Sequence, residues 1–150
     1  MLVREAMSTT LLTVGPAHTL RQAAVLMSAR RVGAALVPDP EAAHPGILTE
    51  RDILNSLGLG QDPDVERAHA HLTADAVLAD PSWTIHDAVR AMAHGGFRHL
   101  VVMEHGEPTG IVSVRDVLRC LSGPRTRPDG RVAPVNLGTD PNPDKLPGRC

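Results

Sequence analysis

The sequence contains two copies of one unit of about fifty residues, and a repeat of this length restricts the fold more than any other feature. A shift of 65 places aligns residues of the same kind in the two copies: Thr19 with Thr84, Ala23 with Ala88, Met27 with Met92 and Leu36-Val37 with Val101-Val102. After a gap of one residue, a shift of 64 aligns Gly46 with Gly110. A unit of this size buries too little apolar surface alone, so we predict that the two pack face to face around a pseudo-twofold axis.

Each copy is predicted to form a strand, a helix, two further strands and a closing helix, which is an α/β (α+β) fold class. Thr19 is a suitable N-cap for the first helix, whose apolar residues have helical spacing, and Gly95-Gly96 predicts the end of its counterpart. The remaining predicted elements are strands at 11–14, 32–37 and 97–103, loops at 38–45 and 104–108, strands beginning at Gly46 and Gly110, and helices at 52–57 and 116–121.

The chain is predicted to divide into three parts. The first unit with its connector covers residues 1–68, the second covers 69–122, and the Pro- and Gly-rich tail at 123–150 has no periodic apolar face. We expect that tail to be disordered or loosely attached. The chain has no apolar run near the roughly 20 residues of a membrane span and no signal-peptide core, so we expect a cytoplasmic protein without a membrane partner.

One motif occurs at the same place in both units, at 46–52 and 110–116: glycine, two apolar residues, a hydroxyl residue, any residue, arginine and aspartate. We interpret each copy as a buried strand that runs into a helix. The hydroxyl and the carboxylate of each copy would then lie on one side of a helix start. These pairs are Thr49 with Asp52 and Ser113 with Asp116. This arrangement resembles a capping box, worth about 1 kcal/mol to its helix. It also suits a ligand, and both roles are compatible.

The repeat, the order of elements and both Gly-x-x-Thr/Ser-x-x-Asp motifs make residues 3–122 resemble a tandem pair of cystathionine-β-synthase-type (CBS) domains, or Bateman module. In plan the chain is similar to small stand-alone bacterial CBS-pair proteins. The resemblance implies clefts that bind adenosyl ligands, with AMP, ADP, ATP and S-adenosylmethionine as candidates, and no required cofactor. It implies that Asp52 and Asp116 bind ribose hydroxyls and that Thr49 and Ser113 help to bind phosphate, as helix N-termini do.

Four further residues are candidate ligand contacts. Arg51 and Arg115 occupy matching positions beside the aspartates, where an arginine is either a phosphate contact or a solvated side chain. Arg98 and His99 align with Gly33-Ala34 of the first unit, so the two pockets are not equivalent. We predict that the pocket with Arg98 and His99 prefers the more phosphorylated ligand, and that the other is smaller and more apolar.

Composition argues against several other classes of function. One Phe, one Trp and no Tyr leave no aromatic surface for stacking bases, and a net charge of -2 does not attract polyanions, so nucleic-acid binding is not expected. The only lysine is Lys145, which excludes a Walker-type loop from the folded part. His69-x-His71 is a weak metal pattern, and no catalytic set is recognisable, so we predict neither a metal site nor an enzyme.

The sequence therefore predicts a regulatory module whose ligand changes the relative orientation of two units, and a partner protein of unknown identity that senses this change. The resemblance implies a homodimer formed through the helices. The alternative is a CBS scaffold with empty pockets, in which both motifs serve as caps, and the glycine at position 33 in place of an arginine favours it.

Overall fold

The repeat is visible in the computed structural model, which describes residues 1–73 and 78–122, as two similar sets of helices and strands. The elements in chain order are α1 (Val3–Ala6), α2 (Leu20–Arg30), β1 (Ala34–Val37), β2 (Gly46–Thr49), α3 (Glu50–Gly58), a 3₁₀ turn (Ala68–His71), β3 (Leu78–Ala79), α4 (Ile85–Gly95), β4 (His99–Glu104), β5 (Glu107–Ser113) and α5 (Val114–Ser122). This content confirms the α+β class. The predicted tail at 123–150 lies outside the described residues.

Thr19 is the N-cap of α2, as the sequence predicts, and Thr84, which aligns with it, is the N-cap of α4. The Thr19 hydroxyl accepts a hydrogen bond from the Gln22 amide at 3.1 Å, and Thr84 accepts one from the Asp87 amide at the same distance. Each hydroxyl satisfies a backbone donor that a helix start leaves unpaired. The buried residues of the two helices have the predicted spacing: Leu20, Ala23 and Met27 in α2, and Ile85, Ala88 and Met92 in α4.

Each unit contributes an antiparallel hairpin. Strand β1 pairs with β2, placing Ala34 opposite Thr49, and β4 pairs with β5, placing His99 opposite Ser113. The second sheet has a third strand, since β3 runs parallel to β4. The hairpins bring the end of each motif strand beside the start of the preceding strand, where the predicted ligand contacts lie.

The strand predicted at 11–14 is wrong, because this segment forms only an isolated parallel bridge between Thr13 and Leu36. The Val14 amide donates to the Leu36 carbonyl, and the Leu36 amide donates to Leu12, both at 2.8 Å. Two such bonds hold the segment against β1 without continuing into a ladder. The loop predicted at 104–108 is also too long, because a tight turn at His105 and Gly106, both with positive φ, allows β5 to begin at Glu107.

Three groups of buried apolar residues hold the described part of the fold together. One lies within the first unit and includes Leu20 and Leu48, and another lies within the second unit and includes Leu100. A third joins the two sheets, where Leu36 and Ile47 of the first meet Val101 of the second. This third group is the face-to-face packing that the repeat predicts.

The segment that begins each half of the fold packs against the other half. The Ser8 amide donates to the Ile111 carbonyl at 2.8 Å, and the Thr73 amide, which aligns with Ser8, donates to the Ile47 carbonyl at 2.9 Å. Val3 from α1 lies in the core of the second unit, and Leu72 packs against the core of the first. The division at residue 68 stays a prediction, but packing crosses it in both directions.

This exchange explains the glycine that opens each motif. A Cβ added to Gly46 would lie 2.5 Å from Leu72 Cδ1, and one added to Gly110 would lie 2.5 Å from Met7 Sδ. Both distances are far below ordinary van der Waals contact. A side chain at either position would therefore force the end of the Leu72 or Met7 side chain to shift where the exchanged segment crosses the motif strand. Among the described residues, no helix has both the length and the apolar composition that a bilayer span requires.

Candidate functional site

The first cleft lies between the start of α3 and the segment at 95–99 that leads from α4 into β4, and it encloses about 380 Å³. It therefore has one wall from each unit. Of the predicted site residues, it brings together Thr49, Arg51, Asp52, Arg98 and His99.

The second cleft lies between the end of α2 and the start of α5, and it encloses about 930 Å³. Its walls also come from the two units, related to those of the first cleft by the repeat. Of the predicted site residues, it brings together Arg98, His99, Ser113, Arg115 and Asp116. Every predicted site residue thus lies on at least one cleft.

The start of α3 is a complete capping box. Asp52 Oδ2 accepts hydrogen bonds from the amide and the hydroxyl of Thr49, both at 2.7 Å, and the Asp52 amide donates back to the Thr49 hydroxyl at 3.3 Å. The Thr73 hydroxyl gives Asp52 Oδ2 a further hydrogen bond at 3.0 Å. No described residue donates to Asp52 Oδ1, so one carboxylate oxygen keeps its capacity to accept hydrogen bonds.

The start of α5 repeats this arrangement with serine. Asp116 Oδ2 accepts from the Ser113 amide at 2.9 Å and from the Ser113 hydroxyl at 2.6 Å. Asp116 Oδ1 faces a different neighbour, because Arg119 donates to it at 3.3 Å. That contact joins side chains three residues apart on an exposed helix face, where an ion pair contributes little stability. A ligand hydroxyl could therefore replace it at small cost.

Arg98 and His99 lie on both clefts, so their predicted assignment to a single pocket is wrong. The physical reason is their place in the fold. They precede and begin β4, beside the pseudo-twofold axis, where the two clefts adjoin. They cannot by themselves make one cleft more attractive to phosphate than the other.

The asymmetry of charge comes from other residues. Among the described residues, the first cleft is lined by two arginines and two carboxylates: Arg51, Arg98, Glu50 and Asp52. The second cleft is lined by four arginines and two carboxylates: Arg31, Arg98, Arg115, Arg119, Glu50 and Asp116. The second cleft is thus both the larger and the more basic, which favours a ligand with more negative charge.

Among the described histidines, His99 is the one whose pKa is clearly shifted by its surroundings. Burial is the main cause that lowers its pKa, while the carboxylates of Glu50 and Asp116 act in the opposite direction. The guanidinium groups of Arg98 and Arg115 lower the pKa further. His99 is therefore predominantly neutral at pH 7 and can donate from one ring nitrogen and accept at the other.

Glu50 and Thr73 are site residues that the sequence did not reveal. A Cβ added to Gly33 would lie 3.2 Å from the Glu50 carboxylate and 3.3 Å from His99 Nε2, so these two side chains approach each other over the glycine. Glu50 fills the variable position of its motif, where the second unit has Val114, and comparison of the two copies could have identified it. Thr73 reaches Asp52 from 21 residues away, and only the exchanged segment brings it there.

The paired histidines of the connector have structural partners. His71 Nε2 lies 2.6 Å from Glu66 Oε2, and His69 Nδ1 lies 3.0 Å from the Pro16 carbonyl oxygen. In the described part of the chain, no group of three or more metal-binding side chains comes together. His69 thus attaches this segment to the first unit, whereas His71 bonds within the segment itself.

Comparison with known proteins places the whole repeat in one family. The family model of the CBS domain matches the chain twice, over residues 3–59 and 68–123. The CBS domain-containing protein YhcV of Bacillus subtilis is 31% identical over 116 residues, which are 77% of this chain and 81% of YhcV. The CBS domain-containing protein CBSCBSPB5 of Arabidopsis thaliana is 35% identical over 112 residues, but the chain spans only 20% of that longer protein.

One similar solved structure contains a ligand. A CBS domain protein from Pyrobaculum aerophilum, complexed with AMP, is 25% identical and superimposes with a TM-score of 0.69, covering 77% of this chain and 89% of that one. The two folds correspond over most of their length.

Proposed function

The chain belongs to the family of CBS-domain proteins, and on that premise we propose that it is a regulatory module that binds adenosyl ligands in its two clefts. The candidate ligands are AMP, ADP, ATP and S-adenosylmethionine. The AMP complex of a structurally similar CBS protein supports this class of ligand. Regulation rather than catalysis is part of the proposal, and so is a cytoplasmic location.

The observation that carries the proposal is a carboxylate at a helix start on each cleft. Asp52 uses Oδ2 for its described hydrogen bonds, which leaves Oδ1 to accept from a ribose hydroxyl. Charge makes such a bond stronger than one between neutral groups. The adjoining helix start and Arg51 suit a phosphate, since backbone N–H groups and guanidinium groups both bind its oxygens. Ser113, Arg115 and Asp116 repeat these roles.

The position of the clefts provides a route from binding to regulation. Each cleft has one wall from each unit, so a bound ligand contacts both. A ligand that fits one relative orientation of the units better than another increases the population of that orientation. A partner protein that binds one orientation preferentially would then respond to ligand concentration.

The exposed apolar side chains of the helices support a homodimer as part of the proposal. On α2 and α3, Val25 and Leu54 are 61% and 62% exposed, and on α5 Leu118 and Leu121 are 57% and 69% exposed. Exposed apolar surface of this kind commonly forms part of a protein–protein interface. Sedimentation of the full chain is expected to give a dimer, and a monomer at all concentrations would contradict this part of the proposal.

A ligand-free scaffold is the second candidate function. It is favoured by the completeness of both capping boxes, since each carboxylate already has a structural role without a ligand. The two candidates differ in one measurable property. A scaffold gains no stability from adenosyl compounds, whereas a sensor does.

Thermal unfolding of the full chain with AMP, ADP, ATP, S-adenosylmethionine and dinucleotides tests the proposal. A binding ligand at about 100 times its Kd adds about 2.7 kcal/mol to the free energy of unfolding, which raises the Tm by several degrees. We expect Asp52→Ala or Asp116→Ala to reduce that rise.

Asp87→Ala is the matched control, because Asp87 completes the same kind of capping box with Thr84 but lines neither cleft. Each substitution removes the carboxylate of a capping box and should cost about 1 kcal/mol, with a larger cost for Asp52→Ala because it also loses the hydrogen bond from Thr73. Only Asp87→Ala should keep the full ligand-induced rise in Tm. An equal loss of the ligand-induced rise in Tm in all three variants, or no rise with any ligand, would favour the scaffold. Turnover of a nucleotide would show that the protein is an enzyme instead.

A further inference from the structure

Arg31 ends α2 in a backbone conformation that arginine seldom adopts. Its φ of 53° and ψ of 38° place it in the left-handed region, and Gly96 ends α4 at the equivalent position with φ 70° and ψ 16°. Glycine adopts this conformation without steric cost, but a residue with a Cβ does not. Among the described residues that are not glycine, only Arg31 and His105 have positive φ.

The two equivalent residues lie on different clefts. Arg31 lines the second cleft and Gly96 lines the first. At one place in the repeat, therefore, the second cleft has a guanidinium group and the first has no side chain. In the described part of the chain, no side chain or carbonyl accepts a hydrogen bond from the Arg31 guanidinium group.

The stability of α2 does not account for this arginine. A cation near a helix C-terminus interacts favourably with the helix dipole, but Arg30 already supplies one in the last turn. Helix α4 ends at a glycine in the same conformation without a second cation. Residues held in unfavourable backbone conformations cluster at ligand-binding sites, where the side chain they present is useful.

The position of Arg31 fits the far end of a ligand. Ser113 and Asp116 form one wall of the second cleft, and Arg31 comes from the opposite wall, which belongs to the other unit. If the first phosphate binds beside Ser113, a longer phosphate chain extends towards Arg31. The planar guanidinium group offers several donors that match phosphate oxygens. The second cleft, at about 930 Å³, also has more room than the first.

We propose that Arg31 determines ligand specificity in the second cleft by binding the distal phosphates of a nucleoside di- or triphosphate. The first cleft, with glycine at the equivalent position and balanced charges, takes the ligand with fewer phosphates. This inference rests on the proposed binding of adenosyl ligands and specifies which cleft takes the polyphosphate.

Calorimetric titration of the full chain with AMP and with ATP tests the assignment through Arg31→Gly. We expect this variant to unfold at a Tm no lower than that of the natural chain, because glycine relieves the backbone. ATP affinity should fall about five- to tenfold, the size of one charge-assisted hydrogen bond at an open site, and AMP affinity should change less than about twofold.

His105→Gly is the matched control, since it relieves the same backbone conformation in a hairpin turn that lies on neither cleft. It should leave both affinities unchanged. Gly96→Arg is the reciprocal change and should strengthen ATP binding at the first cleft.

One result would overturn the inference while leaving the proposed function intact: an unchanged ratio of ATP to AMP affinity in Arg31→Gly, whether neither affinity changes or both fall by the same factor. Failure of the natural chain to bind any adenosyl compound would overturn both. The natural chain and the variant must therefore be titrated side by side.

Discussion

The two clefts share their central chemistry but differ in size and in the balance of charge around it. Each has a hydroxyl and a carboxylate at a helix start. The carboxylate accepts a hydrogen bond from the backbone amide of the hydroxyl residue, at 2.7 Å in the first cleft and 2.9 Å in the second. Around that pair, the first cleft has balanced charges, whereas the second has an excess of arginines and more than twice the volume.

The difference shows which parts of a duplicated site are free to diverge. The hydroxyl and the carboxylate cap their helices, so their loss destabilises the fold whether or not a ligand is present. The neighbouring positions, such as Arg31 against Gly96 or Glu50 against Val114, carry no such constraint. Residues with two roles stay the same in both copies, and residues with one role can specialise a cleft.

The largest expected effect tests whether the two halves are one cooperative unit. Leu48→Ala, in the core of the first unit, should lower the free energy of unfolding by about 2–5 kcal/mol. Trp83, the single tryptophan, packs on the core of the second unit. Because the halves exchange segments and share a third core, we expect Trp83 fluorescence and far-UV circular dichroism to report one shifted transition.

Leu59→Ala, at a position that is 79% exposed, is the control and should change stability by less than about 0.5 kcal/mol. A Trp83 transition that stays at its original midpoint in Leu48→Ala would show that the halves unfold independently.

A smaller effect separates the two carboxylates. Thr73→Val removes the hydrogen bond to Asp52 and should cost about 0.5–1.5 kcal/mol. Ser8 is the equivalent residue, but its hydroxyl accepts from the Thr10 amide at 3.3 Å in an exposed position, so Ser8→Ala should cost less. Denaturant unfolding of both variants measures the difference. Equal losses would mean that the two carboxylates are supported in the same way.

The smallest effect concerns pH and the histidine that the clefts share. The pKa of His99 is lowered by folding from an ordinary value of 6.5, so the unfolded chain binds more protons just below that pH. Stability should therefore fall as the pH drops from 6.5 towards the lower pKa of the folded state.

In His99→Gln this loss of stability should be smaller, as shown by denaturation midpoints at pH 7.5 and 5.5. His44→Gln, in the exposed loop between β1 and β2, is the control and should keep the pH dependence of the natural chain. If His99→Gln and His44→Gln behave alike, the titration of His99 does not contribute.

The repeat allowed much of the fold to be predicted, because aligned copies reveal which residues are shared. Thr19 and both motifs cap helix starts as predicted. The sequence could not reveal α1, since four residues have no helical periodicity and the helix is held by bonds such as that from the Val3 amide to the Trp83 carbonyl, at 2.8 Å. Tertiary contacts, not local preference, form it.

The candidate site was predicted less completely for a related reason. Aligning the copies showed that Gly33 and Ala34 stand in the first unit where the second has Arg98 and His99, but not that these two residues lie where the two clefts adjoin. Position relative to a symmetry axis is a property of the assembled pair and does not appear in either copy alone. Thr73 and Arg31 were missed because each lines a cleft whose motif lies far from it in the sequence.

Because each half of the chain contributes a segment to the core of the other, the two halves are interlocked. A cut in the connector near Gly60, an exposed position with φ of 77°, would leave each fragment holding a piece of the other's interior: Val3 on one and Ala68 on the other. We expect two such fragments to bind one another in solution.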